Sequence, residues 1–209
     1  MENIDWLKYE NEAFDNGFEC VCGVDEAGRG PLAGPVCAAA VILPRGCIID
    51  GLNDSKKLSE KKREQLFDVI TEKAEAYSIA MASEKEIDEI NILQATFLAM
   101  RRAVGSLEIK PDFVIVDGNR DPLLGIKTMT LVKGDSLCES VAAASVLAKT
   151  WRDEKMRQLA KEYPEYGWDR NMGYPTKEHI EAIKKFGLTP WHRRSFHPKE
   201  LEPTLFTGL

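Results

Sequence analysis

A mixed α/β sheet covered by helices is the fold class that three features of this sequence predict. Short runs of Val, Ile, Cys and Ala read as buried strands, and longer stretches with capping residues fall between them. The first two strands follow one another directly, whereas the later ones alternate with helices. Residues 19–25 (ECVCGVD) and 35–43 (PVCAAAVIL) are the first two strands. Asn53, Asp54 and Ser55 supply caps ahead of a helix over LSEKKREQLFDVITEKAEA, where Ser59 and Lys62 bracket the first turn. AYSIAMAS (76–83) alternates as a strand does, and Ser83 starts a helix that ends by Gly105 and Pro111. FVIVDGN (113–119) is an apolar run closing on Asp117 and Gly118, which marks a central strand with a functional C-terminal end. KTMTLV (127–132) reads as a further strand. The stretch 136–163 is a long helix whose small residues in the first half permit close packing on a sheet, and 176–186 is a last helix stopped by Gly187.

The chain has 209 residues, 44% of them hydrophobic and 30% charged, enough for one globular domain with a sizeable core. No apolar run approaches the roughly 20 residues of a membrane span, and the acidic, amphipathic N-terminus is unlike a signal peptide. A cytoplasmic location is expected. Five cysteines, mostly in apolar stretches, agree with that; only Cys20 and Cys22 are close in sequence, and on a strand both point into the core. The net charge of −6 comes from residues 1–30, which carry eight acids and two bases. Residues 177–199 carry six bases and two acids, a segment able to meet phosphates or to form a solvated helix and tail.

The densest chemistry lies in GVDEAGRGPLAGP, residues 23–35. Asp25 and Glu26 close a buried strand, where an unpaired charge is costly. For both carboxylates to share one site, regular strand pairing has to break at or just after Asp25. A P-loop reading fails because no Gly-Lys-Ser/Thr follows the glycines and a strand, not a helix, comes next. Asp117 ends one strand, and Asp135 sits in Lys-Gly-Asp ahead of the long helix, where it could equally serve as a cap. Carboxylates delivered by three segments form an all-oxygen donor set suited to hard divalent cations such as Mg²⁺ or Mn²⁺. The three histidines (His179, His192, His197) are all late in the chain, which argues against zinc hydrolysis or a serine triad. Carboxylates without a histidine base suit phosphoryl transfer by two metal ions about 3.5–4 Å apart, one activating water and the other stabilising a leaving 3′ oxygen.

The segments GVDEAGRGPLAGPVCAAAVIL, NDSKKLSEKKRE, VDGN, KGD with SVAAASVLAKTWRD, and GYPTKEH resemble bacterial ribonuclease HII, in order and spacing, from about residue 20 to 197. The resemblance implies a ribonuclease H-like fold, a central mixed five-stranded sheet flanked by helices. It implies a single catalytic domain over 1–209, with a helical, substrate-binding C-terminal extension from about residue 164. Asp25, Glu26, Asp117 and Asp135 would be its metal-binding, catalytic carboxylates. Gly28-Arg29-Gly30 would read a ribose 2′-hydroxyl through its backbone, the two glycines letting that backbone come close. Tyr174 would stack on the deoxyribose that follows the ribonucleotide, although on residues alone, followed by Pro175, it reads first as a packed turn residue. The implied activity is endonucleolytic cleavage of RNA in RNA–DNA hybrids and 5′ of single ribonucleotides in duplex DNA, leaving 3′-hydroxyl and 5′-phosphate ends. Ribonucleotide excision and primer removal would be its tasks, with a monomeric chain.

Lys56, Lys57, Lys149 and Arg152 either touch phosphates or solvate helix faces. Asp153 competes with Asp135 as fourth ligand but lies about five turns further on, roughly 27 Å along a straight helix, so both cannot serve one site. Trp151 is bulkier than the family pattern leads one to expect, and a missing long N-terminal domain separates the chain from ribonuclease HIII. The tail LEPTLFTGL holds a Leu-Phe pair reminiscent of sliding-clamp peptides, without their glutamine. The rival readings are another nuclease of the same fold, such as a resolvase, which DNA-only branched substrates would reveal, and a catalytically silent hybrid-binding module.

Overall fold

The computed structural model describes residues 4–201, so the Leu-Phe pair of the tail lies outside the described residues. Strands β1 (Val21–Ala27), β2 (Val36–Ile42), β3 (Ala76–Ala82), β4 (Phe113–Asp117) and β5 (Lys127–Leu131) form one sheet in the order β3-β2-β1-β4-β5. The β1–β2 and β2–β3 pairs are antiparallel, and β1–β4 and β4–β5 are parallel. Helices α1 (Lys8–Asp15), α2 (Glu60–Lys73), α3 (Glu84–Gly105), α4 (Glu139–Glu162), α5 (Trp168–Asn171) and α6 (Lys177–Phe186) complete the fold. It is the expected mixed, helix-flanked, five-stranded sheet.

Side-chain alternation sorts the sheet into two faces. Cys22, Val24, Val36, Ala38, Ala40, Val114 and Val116 pack with α3 residues such as Ile87, Ala99 and Met100. The opposite face gives Ala39 and Val41 to the alanine-rich first half of α4, with Leu66 and Ile70 of α2 beside them. Because both faces are covered, β1, β2 and β4 are apolar almost throughout. Contact between β1 and α4 is at backbone distance: a Cβ on Gly23 would lie 2.2 Å from the Ser140 carbonyl carbon.

The helix starts follow local capping. Ser59 accepts from Lys62 N–H, as expected, and Ser83 with Glu86 forms a full capping box. The long α3 is broken at Asn91 (φ 66°), whose side chain accepts from Leu93 and Gln94 N–H and caps the second half. α4 begins later than expected, at Glu139, after a 3₁₀ turn over Gly134–Ser136. Its cap comes from α1: the Glu10 carboxylate accepts from Ser140 N–H (2.9 Å), the Ser140 hydroxyl (2.9 Å) and the Cys138 thiol (3.2 Å). Glu139 is buried alongside and accepts from Ile49 N–H at 2.7 Å. Burial, with some help from Glu10, pushes its carboxyl up to about 7.

Past α4 the chain turns back over its second half. Tyr166, Trp168, Ile180 and Ile183 pack on Met156, Leu159 and Ala160, together with Leu32 and Ala33. Two buried histidines hold this layer. Thr189 N–H donates to His192 Nδ1 (2.9 Å), Trp168 Nε1–H donates to His179 Nε2 (3.0 Å), and the two Nε2 atoms lie 3.1 Å apart. Burial lowers both pKa values, that of His192 to about 4 with His179 adding to it, so the pair stays neutral.

Two outcomes are expected. Gly23→Ala drives a methyl into the α4 backbone and costs about 3 kcal/mol, read as a lower urea midpoint. For Glu139, the unfolded chain releases its proton near 4.5 and the folded chain keeps it to about 7, so wild-type stability falls as pH rises through that window. Glu139→Gln removes that loss, and its advantage over wild type should grow between pH 4.5 and 7 to the order of 2 kcal/mol.

Candidate active site

The sheet brings carboxylates from separate segments to one edge. β1 pairs with β4 up to Val24↔Val116, which sets Asp25 and Asp117 side by side just beyond the last paired residues. On the other side β1 stays paired with β2 through Ala27↔Cys37. The expected break in pairing is therefore present toward β4 and absent toward β2. Glu26 leaves β1 from the face opposite Asp25, and at the free end its longer side chain reaches round to join it. One carboxylate oxygen from each of Asp25, Glu26 and Asp117 lies within 4.8 Å of the others.

Asp135 stands apart from this trio, in the 3₁₀ turn after β5, with its carboxylate 3.9 Å from the Lys56 ammonium. It does not cap α4. Asp117 links the two parts: its Oδ1 accepts from Gly134 N–H at 2.7 Å, pinning the Lys133–Asp135 turn against β4. Asp153 is buried and bound by Lys149 (2.7 Å) and Arg63 (3.2 Å), and it is not one of the clustered carboxylates.

The electrostatics are those of crowded acids. Burial, then Glu26, then Asp117 raise the Asp25 pKa well above the usual carboxylate range, against the Ser145 hydroxyl and the Glu26 N–H. Burial raises Glu26 as well, opposed mainly by Arg29, whose guanidinium is 3.5 Å away. For Asp135, burial acts first and Asp117 and Asp54 add to it. Burial alone would lower the Lys56 pKa, but Asp25, Asp135, Asp54 and Asp117 together outweigh it and raise it. An all-carboxylate cluster with one nearby ammonium fits a hard divalent cation, which would remove most of this repulsion.

Sequence reasoning missed the part played by Asn53–Lys57. Asp54 caps the short 3₁₀ turn there, accepting from Lys56 N–H, and Ser55 is buried with its hydroxyl 2.9 Å from that of Ser145, next to Asp25. This aims Lys56 at the acids. The Asn-Asp-Ser run, a cap candidate and the start of the family-like NDSKKLSEKKRE segment, was the available signal. Lys57 instead donates to the Ser136 hydroxyl.

Beside the acids runs an open groove of about 550 Å³, lined by Glu26, Gly28–Gly30, Lys56, Lys149 and Tyr174 among others. Tyr174 is 41% exposed, with its ring edge 3.4 Å from where a Gly30 Cβ would stand. Gly28 (φ 97°) has a different constraint: its Cβ would fall 2.1 Å from Arg152 Nε. Space for a buried arginine, as well as backbone conformation, explains the glycine at 28. Arg152 is fully buried and so neither solvates a helix face nor reaches the groove surface.

A protein-family model described as Ribonuclease HII matches residues 22–199. The chain is 59% identical over 178 residues to a ribonuclease HII of Dechloromonas aromatica, covering 85% of this chain and 91% of that protein. It is 55% identical over 188 residues to one of Acetivibrio thermocellus, covering 90% and 73% respectively. Among solved structures, the ribonuclease H2 of Pyrococcus horikoshii superposes with a TM-score of 0.73 at 31% identity, over 85% of this chain and 94% of that one. On the extent of the family match and these identities, the chain belongs to the ribonuclease HII family.

Proposed function

We propose that this ribonuclease, an endonuclease acting on the RNA of RNA–DNA hybrids, cuts the phosphodiester on the 5′ side of single ribonucleotides in duplex DNA and leaves 3′-hydroxyl and 5′-phosphate ends. The observation that carries the reading is the convergence of Asp25, Glu26 and Asp117 at the mouth of a groove that also holds Gly28–Gly30 and Tyr174. Divalent metal use follows from the family and the donor set; we take the ions to be Mg²⁺ or Mn²⁺, two of them with substrate bound. Bound there, they supply the Lewis acidity that activates water and stabilises the leaving oxygen.

Asp25, Glu26 and Asp117 hold the ions, and Asp135 joins them across Asp117. Lys56 is near enough to steady Asp135 and to meet a phosphate oxygen. Arg29 and Gly30 turn backbone toward the ribose, whose 2′-hydroxyl separates RNA from DNA. Tyr174 offers an exposed ring to the next sugar, and the segment from about residue 164 that carries it acts as the substrate-binding extension of one catalytic domain. Among the described residues no helix is long and apolar enough to cross a membrane. We place the enzyme in the cytoplasm as a monomer that removes misincorporated ribonucleotides and RNA primers.

The direct test is a labelled DNA duplex with one ribonucleotide, incubated with Mg²⁺ or Mn²⁺ beside an all-DNA control. A single cut 5′ to the ribonucleotide, abolished by chelator, is the expected result; cleavage of the control, or cutting that survives chelation, overturns it. Asp25→Asn should lose at least a thousandfold in rate under the same conditions. The same change removes one of three crowded negative charges, so the metal-free variant should melt above the metal-free wild type at pH 8, by about 2–4 °C if roughly 1 kcal/mol of repulsion is relieved. Tyr174→Ala should narrow the preference for a single ribonucleotide over a long hybrid by tenfold or more, read as the ratio of kcat/KM values.

A further inference from the structure

Two arginines lie directly beneath the 28–35 loop: Arg152 on α4 and Arg193 in the C-terminal segment, 0% and 2% exposed. Every hydrogen bond that either makes among the described residues goes to a main-chain carbonyl. Arg193 donates to Gly34 O (2.9 Å), Arg29 O (3.0 Å) and Gly28 O (2.6 Å). Arg152 donates to Pro35 O (3.1 Å), Met172 O (3.1 Å) and Ala33 O (3.2 Å). The Phe196 ring covers Arg193, 5.1 Å from its guanidinium carbon. A buried cation without a carboxylate is expensive, and a neutral amide would satisfy some of these carbonyls at less desolvation cost. Stability alone does not account for two of them at one loop.

The peptide group supplies a reason. A trans peptide is planar and points its C=O and N–H in opposite directions. Drawing Gly28 O and Arg29 O inward toward Arg193 therefore turns the N–H groups of Arg29 and Gly30 outward. Both residues are exposed and line the groove, and among the described residues neither N–H has a protein acceptor. Two fixed positive charges stand behind this pair of donors, on the side away from an anionic strand. The same residues join the loop to the Tyr174 segment: Arg152 holds Met172, Leu32 N–H donates to Gly173 O, and Arg193 N–H donates to Leu32 O.

We propose that Arg193, supported by Arg152, is a positioning residue for ribonucleotide recognition, fixing the Gly28 and Arg29 carbonyls so that the Arg29 and Gly30 amides present donors to the ribose and its phosphate. The proposal rests on the reading of residues 28–30 as the ribose-recognising turn. The Arg193 guanidinium reaches its three carbonyls from three separate nitrogens, whereas a lysine keeps the charge but radiates its donors from one atom and loses the fork.

The test uses binding in the Asp25→Asn background, so that nothing is cut. Fluorescence anisotropy gives the Kd ratio of an all-DNA duplex to the same duplex with one ribonucleotide. Arg193→Lys should reduce that ratio at least fivefold while the melting transition stays cooperative, and Arg193→Gln should in addition weaken binding of the all-DNA duplex. A folded Arg193→Lys that keeps the parental ratio overturns the proposal. A parent with no ribonucleotide preference removes instead the underlying reading of the turn. Should Arg193→Lys fail to fold, the parent decides: the ¹⁵N–¹H resonances of Arg29 and Gly30 should move further with the ribonucleotide duplex than with all-DNA at saturation, and identical responses to both overturn the proposal.

Discussion

The contact between strand β1 and helix α4 at Gly23 governs where everything else in the site falls. Without a side chain at that position, the helix backbone rests on the strand backbone. Two residues further along β1 comes Asp25, and along α4 comes the Ser145 hydroxyl that meets it. The parallel pairing of β1 with β4 then places Asp117 next to Asp25, and Asp117 in turn ties down the turn holding Asp135. A separation larger by one methyl group at Gly23 would shift these groups relative to one another at the scale on which metal coordination is sensitive.

Charge is segregated across the site. On one side, three strand-end carboxylates crowd together and the structure bears their repulsion, eased by Arg29 and Lys56. On the other, two arginines are buried under a loop with no carboxylate against them. The acids form a donor set suited to divalent cations, and the arginines hold the main-chain carbonyls of the loop beside them. Neither arrangement favours the free protein, as is usual where residues are selected for what they bind.

Much of this was legible in the sequence. The apolar runs at 21–27, 36–42 and 113–117 are strands because both sheet faces are covered, and Ser59, Ser83 and Thr176 begin helices by ordinary capping. The acids could be read because charge at the end of an apolar strand is conspicuous. The arginines could not: Arg152 sits where the charge of α4 returns and Arg193 in a basic tail, and only the folding of that tail over loop 28–35 buries them. Gly28 was legible as a special position, but its packing against Arg152 was not, because that contact depends on the path of α4 beneath the loop. Asp135 belongs with its fellow acids by motif; the structure adds what motif could not show, the turn over Gly134–Ser136 that carries it and the Lys56 ammonium beside it. The Asn91 break lacks a sequence signal beyond an asparagine in a helical stretch.

The clasp between residues 28–35 and residues 191–193 also has a meaning for biosynthesis. Gly34 N–H donates to Trp191 O, Ala33 bridges His192, and Arg193 grips the turn itself. The acidic trio is seated by Gly134 and by the α4 residues Ser140 and Ser145, whereas the turn beside it is held by side chains that leave the ribosome some 160 residues after the turn does. During synthesis, the supports of the carboxylates thus emerge before the side chain that grips the turn. A chain still attached to the ribosome completes the surroundings of its acidic cluster before those of the turn beside it, and docking of the C-terminal segment is what joins the two.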